Sequence, residues 1–466
     1  MLTCNLKSPV LGIAISAILL SGCSSLTKTD FVPPTVDIPA SWQTTVVNSQ
    51  VSLDPWWKRF NDQQLNRLMT QVLRTNNDLA LATLTLKKSR LQAGLSATDR
   101  YPSVSSTSSA KKSTLLDSGS TSSDYSTTLS LSYELDLWGH VSSTIDAAQW
   151  RAVASEADRE STAQTLVSTT ASLYWKIGYL KDRIALSDKS IAYARQTLAL
   201  TQRQFKSGSV SELDVFESKR SLAGQQATRS QLVQQLRESE NAMAVLLNHA
   251  PSTPENLITT LPDTALPEIA AGAPAELLVR RPDVKASLYE LKAALATSDA
   301  TFASYLPTLT LTGSVGDSSS QLRDLLRDPI GTLGANLVLP FLQWNTMKIN
   351  QKIAEVDYQT AVVNYRKTLY AAFEDVDNAL SARQQYQYQG DKLKVQYDAA
   401  TAAERIYASQ YRHGAVSIQN WLDSQETQRS AQESLLENHY NQLNVQATIY
   451  QALGGSDIAP PVTGDK

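Results

Sequence analysis

The chain has 466 residues, a formal net charge of −3, 42% hydrophobic and 7% aromatic content. That length allows two or three ordinary domains, and the charge provides no basic footprint for nucleic acid. Only two cysteines occur, Cys4 and Cys23, both close to the N-terminus, so no disulfide framework is expected in the mature chain.

In chain order, residues 1–22 read as an export signal, with Lys7 as the basic region and Val10 to Leu20 as the apolar one. The apolar run is shorter than the roughly 20 residues a membrane-spanning helix needs. It ends in Leu20-Ser21-Gly22-Cys23, which looks like a bacterial lipobox. Cleavage there makes Cys23 the lipidated first residue and removes Cys4. Ser24 stands where other lipoproteins that stay at the inner membrane carry Asp, which implies routing to the outer membrane. Each buried methylene of the lipid contributes about 0.8 kcal/mol. No later stretch is long and apolar enough to predict a transmembrane helix.

Residues 23–55, with Pro33, Pro34, Pro39 and Pro55, read as an extended strap. A first repeat is expected over 56–249. Trp56-Trp57-Lys58-Arg59-Phe60 precedes Asp62, a fair N-cap for a helix carrying Leu65, Leu68, Met69, Val72 and Leu73. The Trp pair reads as core packing, with a sugar platform as the alternative. A helix opens at Asn77. After Tyr101-Pro102, a strand over Ser103 to Lys112 has Val104 as its only large apolar residue. A second strand alternates Tyr125, Thr127, Leu129, Leu131, Tyr133, Leu135 and Leu137 with polar residues, the period of a half-buried strand.

Between Gly139 and Gln204 there is no Pro and the only Gly is Gly178, so a single helix of about 65 residues, roughly 100 Å long, is predicted. Phe205-Lys206-Ser207-Gly208-Ser209-Val210 then reads as a tight turn, because Gly takes the left-handed conformation without strain. A return helix runs from Ser211 to about Asn248, with sparse apolar residues such as Leu232, Val233 and Leu236. So narrow a seam suits the wall of a hollow helical tube; a solid coiled coil is the competing reading.

A Pro-rich linker spans 250–275, and a second repeat 276–453 follows in the same order. Pro282-Asp283-Val284 opens a helix, with Pro in the first turn and Asp at the positive end of the dipole. Leu309, Leu311, Gly313 and Val315 mark a third strand, and Leu333, Ala335, Leu337, Leu339 and Phe341 a fourth. A helix from Trp344 reaches Tyr411-Arg412-His413-Gly414-Ala415-Val416, and its return helix runs from Ser417 to Leu453. The two tip glycines are about 206 residues apart (414 minus 208), and the other anchors repeat at nearly the same offset. The tail 454–466 is expected to be disordered.

Catalytic constellations are not found. His140, His249, His413 and His439 are scattered, and there is no phosphate loop, nucleophile elbow or metal-ligand spacing. No enzyme activity, metal or cofactor is expected. Function is carried by architecture. Four amphipathic strands cannot close a membrane barrel alone, since small ones need about eight. An open sheet in lipid would leave edge amides unsatisfied. Three chains would pool twelve strands.

The chain resembles the TolC-like outer-membrane factor family, in its lipidated efflux branch. The resemblance rests on Trp56-Trp57-x-x-Phe60-x-Asp62, Leu277-Leu278-Val279-Arg280-Arg281-Pro282-Asp283, Tyr305-Leu306-Pro307-Thr308-Leu309, Tyr411-x-x-Gly414, Leu422-Asp423 and Ala452-Leu453-Gly454-Gly455. It implies a mixed α+β, internally duplicated chain whose homotrimer forms a twelve-stranded outer-membrane β-barrel joined to a periplasmic α-helical barrel. It implies a passive exit duct for drugs or other small toxic compounds, lipid-anchored through Cys23. A periplasmic adaptor and an inner-membrane pump of the proton-driven resistance-nodulation-division class would be its partners. Gly208, Ser209, Val210, Gly414, Ala415 and Val416 would form the adaptor-docking tips. In the family an acidic residue about nine positions after the tip Gly faces the narrow mouth; here that is Asp423, with Glu217 as its first-half echo. Gln419 stands where the family often has an apolar residue, and Glu426 where it often has Arg. Arg220 and Arg412 are then the candidate latching partners. The competing reading is a periplasmic coiled-coil scaffold lipoprotein without a pore, which would have no use for the strands. A secreted hydrolase would need a nucleophile and base that the chain lacks.

Overall fold

A computed structural model describes residues 27–44, 55–251, 257–263, 265–269, 271, 274–276 and 280–455. The export signal, Cys23, Ser24, Leu277 to Val279 and the end of the tail lie outside the described residues. In order, the main elements are α1 (Gln63–Thr75), α2 (Asn77–Ala97), β1 (Ser103–Thr114), β2 (Thr121–Leu135), α3 (His140–Lys206), α4 (Glu212–Leu246), α5 (Pro282–Ala303), β3 (Thr308–Ser319), β4 (Ile330–Val338), α6 (Trp344–Arg412) and α7 (Ile418–Ala452). The duplication read from sequence is explicit. α2 and α5 start 205 apart (282 minus 77), β1 and β3 start 205 apart (308 minus 103), and α4 and α7 start 206 apart (418 minus 212).

Two compact units divide the chain. The first takes residues up to Val36, Thr85–Glu156 and Ala286–Lys367 and holds the sheet. The strands are antiparallel in the order β1-β2-β3-β4, and among the described residues each outer strand keeps one unpaired edge. Register puts Val104, Leu131, Gly313 and Leu333 in one row. The rows two residues away carry Leu129 with Val315, and Tyr133 with Leu311 and Ala335. The interleaved rows hold Ser105, Ser130, Ser314 and Thr332, and Ser103, Ser132 and Thr312. Alternation thus gives one apolar face and one hydroxyl face. Gly316 lets β2 and β3 approach, because a Cβ there would lie 2.7 Å from Thr128 Oγ1 and 2.9 Å from the Thr127 carbonyl oxygen.

Strand ends differ from expectation in physical ways. Leu339 and Phe341 do not belong to β4. Pro340 lacks an N–H for the ladder, and Pro340–Leu342 forms a 3₁₀ turn. Leu137 falls past the end of β2, in a tight turn where its N–H donates to the Leu135 carbonyl at 2.8 Å. β1 reaches Thr114 although it is poor in apolar residues. Cross-strand hydroxyl contacts of 2.8 Å, Ser108 with Thr127 and Ser109 with Ser126, supplement its ladder. The described part of the strap in this unit is extended and pinned. Thr29 donates from its N–H and its hydroxyl to Asp299 at 3.0 and 2.8 Å. The Lys292 ammonium lies 4.4 Å from the Trp150 ring centre and 5.2 Å from that of Phe31.

The second unit takes Asp37–Leu84, Ala157–Lys285 and the residues from Thr368 onward. Its core gathers Trp56, Trp57, Phe60, Leu65, Met69, Val72, Trp175, Met243, Leu443 and Tyr450. The Trp pair is therefore core: Trp56 stacks on Tyr450 with centroids 5.1 Å apart. Asp62 caps α1 as read, accepting from the N–H groups of Gln64 and Leu65 at 2.8 and 3.0 Å. Its other oxygen accepts from the Tyr174 hydroxyl at 2.7 Å.

The described parts of the linker are bolted to the helices. Lys181 donates to the Ile258 carbonyl, Asp182 accepts from the Leu261 N–H, and Gln446 donates to the Pro267 carbonyl. Arg281, just before α5, is buried and forked onto Asp283 at 3.0 and 2.7 Å, with Asp375 at 3.0 Å. Burial alone would lower its pKa, but the two carboxylates more than offset this and raise it. Gly454, placed by sequence in a disordered tail, is instead buried, and its carbonyl accepts from Gln164.

The register yields a paired test. If the apolar face meets lipid, Leu131→Arg costs about 2–4 kcal/mol near the midplane, while Ser130→Arg on the hydroxyl face costs far less. Yields of folded, membrane-inserted protein would differ between the two; equal yields would contradict the assignment.

Candidate gate and docking tips

The two hairpin turns are built alike. α3 ends at Lys206, and Gly208 follows with φ +73°. Its N–H donates to the Phe205 carbonyl and the Ser209 N–H to the Gln204 carbonyl, both at 2.9 Å, a Schellman closure. Gly414, also at φ +73°, repeats this with Tyr411 at 3.0 Å, and Ala415 with Gln410 at 2.9 Å. Ser211 starts α4 through a capping box with Asp214, and Ser417 starts α7 by accepting from the Asn420 N–H at 3.3 Å. Gly208, Ser209, Gly414 and Ala415 are exposed, whereas Val210 and Val416 are half-buried. Val416 packs on the cluster of Ala408, Tyr411, Ile418 and Trp421, so it has a structural task besides its place at the tip.

The candidate gate carboxylates lie just inside the return helices. Asp423 and Glu426 are exposed and Glu217 is half-buried. Each has a partner on its own helix. Gln419 Nε2 donates to Asp423 Oδ1 at 2.8 Å, Arg220 pairs with Glu217 at 2.5 Å, and Arg429 pairs with Glu426. Arg412 donates to the Ala408 carbonyl at 3.0 Å. Arg220 and Arg412 are thus engaged with groups other than Asp423. Among the described residues no group of His, Cys, Asp or Glu could hold a metal ion.

Two features escaped the sequence reading. The first is a heptad seam. α4 buries Ser218, Gln225, Leu232 and Ser239, and α7 buries Ser424, Ala431, Asn438 and Val445, each spaced by seven. The two sets correspond at an offset of 206 (424 minus 218). Small and polar residues hide such a seam from a search for apolar stripes, although the spacing of seven was there to be counted. The second is Glu404, whose Oε1 accepts from the Tyr193 hydroxyl at 2.8 Å and from Trp421 Nε1 at 3.0 Å. Burial, and next the bond to Glu404, push the Tyr193 pKa up to about 12.

A four-stranded antiparallel sheet and two long helical hairpins in one duplicated chain define an outer-membrane channel fold. The model of the family described as outer membrane efflux protein matches residues 68–249 and 273–455, and the chain belongs to that family. The probable efflux pump outer membrane protein TtgC of Pseudomonas putida is 31% identical over 469 residues, spanning 96% of this chain and 95% of TtgC. The probable outer membrane lipoprotein SilC of Salmonella typhimurium is 27% identical, spanning 95% and 98%. The open-state crystal structure of the Neisseria gonorrhoeae MtrE outer membrane channel matches with TM-score 0.81 and 27% identity, over 93% of this chain and 98% of that one. The protein is an outer-membrane efflux channel component, and its fold is that of the TolC-like channels.

The tip geometry carries its own test. Gly414→Val forces a β-branched residue into the left-handed region and destabilises the hairpin by about 1–2 kcal/mol, whereas Gly414→Asn costs less. Thermal unfolding followed by helical circular dichroism should rank them in that order; equal midpoints would contradict it.

Proposed function

We propose that three copies of this chain close one duct across the outer membrane and periplasm, the passive exit of a tripartite efflux system for drugs or other small toxic compounds. The observation that carries it is the sheet, with one apolar face and two unpaired edges on only four strands. In lipid each unsatisfied edge amide costs several kcal/mol, and twelve pooled strands leave no edge. The competing scaffold without a pore leaves that apolar face unexplained.

The exposed tips at Gly208, Ser209, Gly414 and Ala415, with Val210 and Val416 behind them, meet a periplasmic adaptor. The adaptor links the duct to an inner-membrane pump of the proton-driven resistance-nodulation-division class. Cys23 carries a lipid that fixes the strap to the inner leaflet of the outer membrane; the lipobox and the description of SilC as a lipoprotein support this. Asp423 from three chains forms a carboxylate ring at the narrow end, with Glu426 three residues on, Glu217 at the equivalent place in the first hairpin, and Gln419 orienting the Asp423 carboxylate. Such a ring concentrates cations and repels anions. The duct does no covalent chemistry.

Single-channel recording tests the pore. Asp423→Asn is expected to lower cation selectivity and block by multivalent cations; an unchanged reversal potential with unchanged block would place the ring elsewhere. For the tips, Ser209→Trp or Ala415→Trp should abolish efflux while trimers assemble normally. Failed assembly would mean these residues only close the hairpins. Mass spectrometry of the mature N-terminus decides the anchor, and an unmodified Cys23 would refute it.

A further inference from the structure

Two helix faces in the first unit are left bare among the described residues. On α2, Lys88, Leu91 and Leu95 follow at spacings of three and four. On α6, Ile349, Ile353, Val356, Thr360 and Val363 follow at four, three, four and three. This is heptad spacing, which keeps a narrow seam on one side of a helix. Leu91, Leu95, Ile349, Ile353 and Val356 are 52–69% exposed. The opposite faces of the same helices are already covered, since Leu86 and Ala93 on α2 and Tyr365 on α6 are buried.

The internal duplication shows what such faces pack against. α5 is the counterpart of α2 at an offset of 205 (282 minus 77), and α6 is the counterpart of α3 at 206 (412 minus 206, where the two helices end). At the matching positions α5 carries Ala293, Ala296 and Ala300, and α3 carries Ser143, Ala147 and Ala154, all at most 9% exposed. α3 and α5 lie against each other. Trp150 stacks on Tyr289 with centroids 5.7 Å apart, and Arg151 donates to the Thr297 hydroxyl at 3.0 Å. The stripe is thus covered where both helices belong to one chain. It is bare where the partner helix has to come from another.

Connectivity selects that partner. α2 leads into β1 through five residues (98–102), and α6 leaves β4 through five (339–343). With β1 of one copy paired to β4 of the next, the same rotation sets α2 of the first beside α6 of the second, antiparallel. Such a contact is heterologous and repeats until the ring closes. Read in opposite directions the spacings match, facing Leu95 with Ile349, Leu91 with Ile353 and Lys88 with Val356. Lys88 is the one charge in this part of the seam. Asp357 holds the place of Arg151, and Gln92 that of Thr297, whose hydrogen bond crosses from α3 to α5. Lys88 lies one turn before Gln92 on α2, so Asp357 of the next copy is in reach of it. Both side chains are exposed, and neither has an ion-pair partner among the described residues.

We infer that α2 of one copy packs antiparallel on α6 of the next, and that Lys88 pairs across this seam with Asp357 of that next copy. A lone Lys in an apolar seam fixes register at a cost in stability, and the carboxylate offsets that cost. The inference rests on the trimer reading proposed above and adds a helical seam to the paired strand edges.

Cysteine cross-linking in the full-length, membrane-inserted protein tests the seam. Leu95→Cys with Ile349→Cys is oxidised and run on a denaturing gel without reductant. Each chain carries both cysteines, so the expected products are covalent dimers and closed trimers that reductant returns to monomers. The two single substitutions should stay monomeric on the gel. Should the first pair fail to assemble, Leu91→Cys with Ile353→Cys takes its place with the same expected outcome. Trimers by mass in detergent with neither pair cross-linking would overturn the seam and leave the trimer standing. A monomer by mass in the unsubstituted protein would refute the trimer reading itself. For the ion pair, Lys88→Asp and Asp357→Lys should each lower the temperature at which trimers dissociate, and the double variant should recover most of the loss. No recovery in the double variant would overturn the pairing.

Discussion

Everything in this chain answers to one constraint: a β-sheet with open edges has no stable place in hydrocarbon. Among the described residues, no strand lies beside the outer edges of β1 and β4, while β2 and β3 are paired on both sides over most of their length. The sheet also has an apolar face that water would not tolerate as an isolated surface. Both problems have the same solution, which is for β1 of one copy to pair with β4 of another. On this account the protomer is an unfinished structure, and its exposed leucines, such as Leu333 and Leu337 on β4, are unfinished surface.

The internal duplication follows the same logic. Each half contributes two strands and one long hairpin, so each half alone would be still further from closure. The hairpins repeat even in their hidden seam, where Ser218 answers Ser424 and Leu232 answers Asn438. The halves have diverged where they touch one another. Trp421, Glu404 and Tyr411 gather in the second hairpin and reach across to α3 in the first. The duplicated frame is held alike in both halves by Gly and Ser at the tips, while the ties between halves depend on residues that only one half has.

Much of this was legible in the sequence. Period-two alternation from Tyr125 to Leu135 located β2 and its apolar face, and a glycine after each unbroken run located both hairpin turns. Asp62 was recognisable as a cap because its chemistry is local. Strand ends were harder, since Leu339 and Phe341 kept the alternation going past Pro340, which stops the ladder. β1 was barely visible because its order comes from pairing with β2 and not from its own side chains. The partners of the candidate gate residues were also out of reach. Whether Arg220 meets Asp423 or Glu217 depends on which helix face each occupies, and the structure gives it to Glu217. The Glu404 joint joins residues more than 200 apart (404 minus 193), and nothing local to Glu404 distinguishes it from a solvated helix carboxylate.

The most direct test of the account is the size and conductance of the detergent-extracted protein reconstituted in a planar bilayer. The account predicts a sheet-containing trimer that passes ions. A monomer, or a trimer that carries no current, would contradict it and return the chain to the class of non-pore scaffold lipoproteins.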